Sequence, residues 1–367
     1  MDLFPPATCP RLIVKVGSAL LVAPDGAVRR DWLATLVADL AARAAAGQQL
    51  VIVSSGAIAL GARRLGLARG GRASLEDAQA AAATGQIALS QTWAELLAGH
   101  GLTAAQMLVT LDDLEDRRRY LNAAATLGRL LGLGVIPVVN ENDSVATEEI
   151  RFGDNDRLAA RIAQAAGAQG VVLLSDVDGL YDANPHTHPE ARHIARVEQI
   201  DAVAGMADRG SASGMGSGGM VSKIAAARIA TGAGAHLAIA SGRRDHPLGD
   251  AARHTLFVAD RIAPARKAWL AGGLTSRGCI HVDAGAARAL AAGGSLLAAG
   301  ATRIEGKFAR GDLVTIEGPD GTIARGLSEY AADEALRLLG TRSDEQAALL
   351  GYAPRAALVH RNHLALL

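Results

Sequence analysis

Short runs of β-branched and aliphatic residues alternate with long Ala/Leu/Arg segments over most of the chain. Leu12–Val16 reads as a strand, and Asp31–Ala46 as a helix that Gly47 stops. Leu50–Val53 is the next strand, with helical pattern continuing to Ala98. Ala104–Val109, Val135–Val139, Val171–Leu174 and His236–Ala240 extend the strand series, each separated by helical pattern. Apolar strands alternating with helices predict an α/β fold: a mostly parallel sheet covered on both faces. Ligands of such sheets sit at the carboxyl ends of the strands, so the residues just after each strand are the ones that carry chemistry.

The pattern changes after about residue 272, where frequent glycines punctuate shorter runs such as Cys279–Val282 and Leu313–Ile316. That predicts a small β-rich module. The expected division is a domain over 1–270 and a second over 275–367, consistent with a length of 367 residues. Half of the residues are apolar but only 3% are aromatic, so the core is built from Ala, Val, Leu and Ile. Net charge is zero, and Thr275–Leu367 carries ten basic and ten acidic residues. Both balances speak against RNA or any broad nucleic-acid surface. Cys9 and Cys279 lack metal-ligand spacing along the chain and indicate neither a disulfide framework nor a zinc site. His186, His188 and His360–His363 are expected to be solvated loop residues rather than metal ligands. Met1–Pro10 has no basic segment followed by an apolar run, and no long apolar stretch follows, so no membrane association and a cytoplasmic location are expected.

The strand ends are rich in chemistry. Lys15 lies at the end of the first strand, with Gly17 and Ser18 after it, and Ser54-Ser55-Gly56-Ala57 follows the second. Small residues there let backbone N–H groups approach an anion at a helix N-terminus, although a Ser-capped turn would use the same residues. Asn140-Glu141-Asn142-Asp143 follows Val135–Val139 and suits either an Asx-rich turn or a polar, partly cationic ligand. Gly153-Asp154-Asn155-Asp156 precedes a helix over Arg157–Ala166, and helix capping accounts for only one of its polar residues. Ser175-Asp176 follows Val171–Leu174, and Gly214–Met220 opens a helix carrying Lys223. No Walker A pattern occurs, and the glycine cluster is misplaced for a dinucleotide fingerprint. Lys15 and Lys223 are two of only four lysines, and both lie in glycine-rich turns. Two lysines, amide-rich turns and a carboxylate cluster suit phosphoryl transfer, in which catalysis is mostly positioning and charge neutralisation.

The motifs Lys15-Val16-Gly17-Ser18, Val53–Ala57, Pro137–Asp143, Phe152–Asp156, Ser175–Tyr181 and Gly218–Lys223 occur in an order that resembles the amino-acid kinase superfamily and, within it, the glutamate 5-kinase family. The region from Gly272 resembles a PUA module. The resemblance implies an αβα sandwich, ATP and Mg2+ as the phosphoryl donor pair, and L-glutamate as acceptor. By position it implies catalytic roles for Lys15, Lys223 and Asp156, with Asp156 orienting the two lysines. Nucleotide contacts would come from Lys15, Gly17, Ser175, Asp176 and the run Ser217, Gly218, Gly219, Met220, Val221, Ser222 and Lys223. Ser55, Gly56, Asn140, Asp143, Asn155 and Asp156 would bind substrate, with Asn142 assisting. Magnesium would bridge phosphate oxygens without dedicated protein ligands. The family also implies a homo-oligomer, dimer or tetramer, and feedback inhibition by proline.

Overall fold

Leu12, Ile13, Val14 and Val16 are fully buried because β1 (Arg11–Val16) lies inside a sheet with a parallel neighbour on each side. The computed structural model describes residues 3–23, 26–145, 155–185, 187–203, 205, 219–249, 253–259, 276–342, 344–355 and 357–367. The chain forms two compact units, Met1–Glu115 with Ala123–Asp260, and Asp116–Asn122 with Arg261–Leu367. The expected boundary between 270 and 275 falls outside the described residues.

The strands of the first unit are β1, β2 (Gln49–Ser54), β3 (Ala104–Val109), β4 (Ile136–Glu141) and β5 (Gly170–Ser175). The short β6 (Leu180–Tyr181), β7 (His193–Ile194) and β8 (Arg196–Val197) follow, then β9 (His236–Ser241) and β10 (His254–Phe257). Eight of them form one sheet in the order β3-β4-β2-β1-β5-β9-β10-β8. All pairs from β3 to β9 are parallel, whereas β10 runs antiparallel to β9 and adds a strand that the hydrophobic pattern does not predict. β4 also begins one residue later than predicted and continues through Asn140 and Glu141, because both side chains are buried there rather than turned out to solvent.

The described helices of this unit include α1 (Ser18–Leu21), α2 (Arg30–Ala45), α3 (Ala57–Leu65), α4 (Leu75–Ala98) and α5 (Leu111–Glu115). α6 (Arg117–Gly132) begins in the second unit and continues from Ala123 in the first, and α7 (Asn155–Ala166) and α8 (Met220–Gly232) complete the series. Trp32, Leu36 and Leu40 of α2 and Leu89 and Trp93 of α4 cluster with Leu12, Val14, Ile52 and Val172 on one side of the sheet. Ile13, Val51, Val53, Val171 and Leu173, pointing the other way in the period-2 alternation of strands, are equally buried, and α7 packs on β1, β2 and β5. The result is the expected layered α/β architecture with a mostly parallel sheet. Among the described residues no helix is long and apolar enough to cross a membrane.

The second unit contains β11 (Gly278–Val282), β12 (Ala301–Gly306), β13 (Leu313–Gly318), β14 (Gly321–Leu327) and β15 (Leu364–Leu366), ordered β12-β11-β13-β14-β15. α9 (Ala284–Ala291) is capped by Asp283, whose carboxylate accepts from the Ala286 N–H at 2.7 Å. Ile280, Val282, Phe308, Val314, Ile316 and Tyr330 make a separate core. His363 departs from the expected solvated loop residue: it is buried, with Nδ1 3.2 Å from Glu329 Oε1. His186 lies outside the described residues.

α3 and α4 cross at Gly61 and Gly85. A Cβ on Gly61 would fall 1.8 Å from the Ala81 carbonyl oxygen, and one on Gly85 would fall 1.8 Å from that of Ala57. Only hydrogen side chains permit this approach, which seats the next residue, Gln86, beside β4. Gly85→Ala is therefore expected to cost at least about 1–3 kcal/mol through forced separation of the helices. Urea denaturation measures it, and a midpoint equal to that of the parent chain would contradict the packing described.

Candidate active site

The parallel register puts the strand ends in one row. Lys15 stands beside Val53 on β2 and Leu173 on β5, and Val53 stands beside Val139 on β4. Gly17, Ser55, Asn140 and Ser175 therefore share the carboxyl edge of the sheet, where the parallel-sheet rule places ligands. The Gly17 N–H donates to the Leu174 carbonyl at 3.3 Å, and the Ser55 N–H donates to that of Val16 at 3.1 Å, which ties the three central strand ends together. Gly56 adopts φ +108°, which side chains rarely tolerate, and this lets the chain turn sharply from β2 into α3.

Asp156 is the centre of the arrangement. It lies in the first turn of α7, is 1% exposed, and meets Lys15 Nζ at 2.6 Å through Oδ1 and Lys223 Nζ at 2.8 Å through Oδ2. Lys15 comes from β1 and Lys223 from the first turns of α8, which packs against α7. Burial raises the Asp156 carboxyl pKa, but the two ammonium charges and their hydrogen bonds outweigh it and hold the pKa at about 2. Two cations and one anion leave a local excess of one positive charge, all three groups being buried. Such an excess is costly alone and favours an incoming anion.

Beside this cluster lies a second group. Asn155 Nδ2 donates to Ser55 Oγ at 3.0 Å, while the buried Asn155 Oδ1 accepts nothing. Asp143 is 6% exposed and its Oδ1 also lacks a hydrogen bond. Burial pushes its pKa up to about 6, against a smaller pull from Arg72. Asp143 lines a cavity of about 240 Å³ together with Gln86, Gln106, Glu141 and Asn142. A buried acceptor lining a cavity, as Asp143 Oδ1 does, suits a cationic or N–H-bearing ligand group.

The remaining predicted residues divide. Asn140 is buried, but its Nδ2 donates to Gln86 Oε1 at 2.8 Å and its Oδ1 accepts from the Glu141 N–H at 2.9 Å. Asn142 Oδ1 accepts from Ser144 Oγ at 2.5 Å, a local turn contact. Ser175 Oγ donates to Asp176 Oδ1 at 3.1 Å, with Ser175 buried and Asp176 exposed. Gly219 precedes α8, and Met220, Val221 and Ser222 form its first turn, with Val221 exposed. Ser217 and Gly218, like Phe152–Asp154, lie outside the described residues. Gln86 and Arg72 are site neighbours that the strand-end rule misses, because both belong to the α3–α4 region rather than to a strand end.

Residues 10–241 match the amino acid kinase family, and residues 278–350 match the PUA domain. The chain belongs to the amino acid kinase family. It is 73% identical to the glutamate 5-kinase of Sphingopyxis alaskensis over 100% of both chains. It is 62% identical to the glutamate 5-kinase of Novosphingobium aromaticivorans, covering 98% of this chain and 97% of that one. Among solved structures it is similar to a carbamate kinase from Giardia lamblia bound to AMP-PNP, at 12% identity and a TM-score of 0.49, over 68% of this chain and 98% of that one. Membership of this kinase family carries the use of ATP with it.

The raised Asp143 pKa has a consequence for the unliganded kinase chain. A carboxyl whose folded pKa lies above its unfolded value contributes stability that is fully present below about pH 4 and lost as pH rises through about 6. Asp143→Asn removes that loss. Urea midpoints of parent and variant are expected to diverge across this window, the variant becoming relatively more stable at higher pH. Parallel pH profiles for the two proteins would contradict the burial assigned to Asp143.

Proposed function

We propose that this chain is a glutamate 5-kinase, transferring the γ-phosphoryl group of ATP to the side-chain carboxylate of L-glutamate in the first step of proline biosynthesis. The observation that carries the reading is the buried Lys15–Asp156–Lys223 cluster at the sheet edge. The shared name of the full-length relatives supports the acceptor.

A carboxylate is already a nucleophile, so the reaction needs no general base. Its obstacle is repulsion between an anionic acceptor and an anionic phosphate. One glutamate carboxylate oxygen bonds to the γ-phosphorus, the bond from that phosphorus to the bridging oxygen breaks, and ADP leaves with the electron pair. Lys15 and Lys223 stabilise the equatorial phosphoryl oxygens, and Asp156 keeps both ammonium groups fixed, so no reorganisation is needed as charge moves. The Gly17 and Gly56 amides border the transferring group. Asp143 and Asn155 Oδ1 offer the acceptors that a substrate ammonium requires, with Ser55 held by Asn155. Asn140, fixed to Gln86, shapes the pocket. Ser175, Asp176 and the run Ser217–Lys223 take the nucleotide.

Both Asp156 oxygens are committed to lysines, which leaves magnesium to the nucleotide phosphates rather than to that carboxylate. When bound, the metal adds neutralising charge on the phosphate oxygens. Proline as feedback inhibitor, a dimeric or tetrameric assembly and a cytoplasmic location belong to the same reading.

Hydroxylamine converts an acyl phosphate to a hydroxamate and so reports the product directly. ATP, magnesium and L-glutamate are expected to yield hydroxamate and ADP together, while N-acetylglutamate and aspartate yield neither. Lys15→Arg and Lys223→Arg are each expected to lower kcat by about 10²–10³-fold, since a planar fork cannot replace a point charge at this spot. Lys307→Arg is expected to leave it unchanged. Hydroxamate from aspartate but not glutamate would refute the acceptor, and equal tolerance at all three lysines would refute the cluster's role.

A further inference from the structure

We propose that Cys279, His281 and Glu317 form a divalent transition-metal site of the zinc class on the outer face of the β11–β13 sheet. Cys279 and His281 are alternate residues of β11, so both side chains project from the face opposite the core residues Ile280 and Val282. β13 runs parallel to β11 with Glu317 directly beside His281. The thiol sulfur, an imidazole nitrogen and a carboxylate oxygen of these three residues all lie within 4.8 Å of one another. Small side-chain rotations would draw such a triangle in to the 2.0–2.3 Å bonds typical of zinc.

The donor set selects the ion. Thiolate and imidazole discriminate against magnesium and calcium, and a sulfur, nitrogen and oxygen set suits Zn2+ or Co2+. Thiolate and carboxylate together neutralise a dication, and three protein ligands leave a fourth position for water or a ligand group. The surroundings also fit. His281 Nδ1 faces Glu317 Oε2 at 3.5 Å, while Nε2 lies on the other side of the ring, 3.3 Å from Glu305 Oε1 on β12. Nε2 is enclosed and, although close to Glu305, makes no hydrogen bond. Metal on Nδ1 would place a proton on Nε2 facing Glu305, the carboxylate–histidine–metal relay that orients many ligands. Glu305 is in turn paired with Arg303. Cys279 and His281 are partly exposed, so an ion can reach them.

Cobalt provides the test, because a thiolate bound to Co2+ gives a near-ultraviolet charge-transfer band. Full-length protein, stripped with chelator and desalted without nucleotide, is titrated with Co2+ and then Zn2+. One equivalent of cobalt is expected to produce the band, and zinc to abolish it. Cys279→Ser should eliminate the band and Cys9→Ser should retain it. Glu317→Gln, a near-isosteric change on a partly exposed side chain, should weaken zinc binding while leaving the metal-free melting temperature unchanged. Glu305→Gln should weaken it by about 10–100-fold. A band that persists in Cys279→Ser, no band in the parent protein, or zinc affinity unaffected by Glu317→Gln would overturn the site.

Discussion

Two lysine ammonium groups share the two oxygens of one buried carboxylate, and the kinase domain is organised around that contact. Lys15 arrives on the central strand, Asp156 on α7 and Lys223 on α8, so the ion pairs join three elements distant in sequence. Burying three charges is expensive unless each is paired and held. The parallel sheet meets that condition by aligning β1, β2 and β5 so that their ends converge. The residual positive charge is fixed in place and favours an anion; under the proposed function it would complement a transferring phosphoryl group.

The polar group beside the lysine cluster follows a different logic. Asp143 and Asn155 hold buried oxygens without hydrogen-bond partners, and the close α3–α4 crossing through Gly61 and Gly85 brings Gln86 against Asn140. Rigid helices thus support the polar wall of the cavity that Gln86 and Asp143 line. One carboxylate, Asp156, is driven far down by its lysines, and another, Asp143, is driven up by burial. Environments that separate two carboxylates in this way assign them different tasks, one structural and electrostatic, the other open to a ligand.

Much of this was legible along the chain. Period-2 and helical patterns located the strands, and the strand-end rule then pointed to Lys15, Ser55, Asn155, Asp156 and Lys223 without any knowledge of their distances. What stayed hidden was side-chain partnering across elements. Asn140 looks like a ligand residue in sequence, yet Gln86, in the middle of a long helix, takes its amide. His363 sits in a polar terminal run and still ends buried against Glu329. The antiparallel β10 carries no periodicity that distinguishes it from a loop. Cys279 shows no ligand spacing along the chain because its proposed partners arise from strand alternation and from pairing with β13, which linear spacing does not encode.

The central claim is that Asp156 holds two of the chain's four lysines, and that small number permits a direct measurement. In protein labelled with 15N at lysine Nζ, each side-chain ammonium can be followed as a separate NMR signal. Two of the four are expected to be protected from solvent exchange, to be lost one at a time in Lys15→Arg and Lys223→Arg, and to shift together in Asp156→Asn. The signal of the exposed Lys307 should not move. Four signals alike in exchange and indifferent to Asp156→Asn would contradict the account.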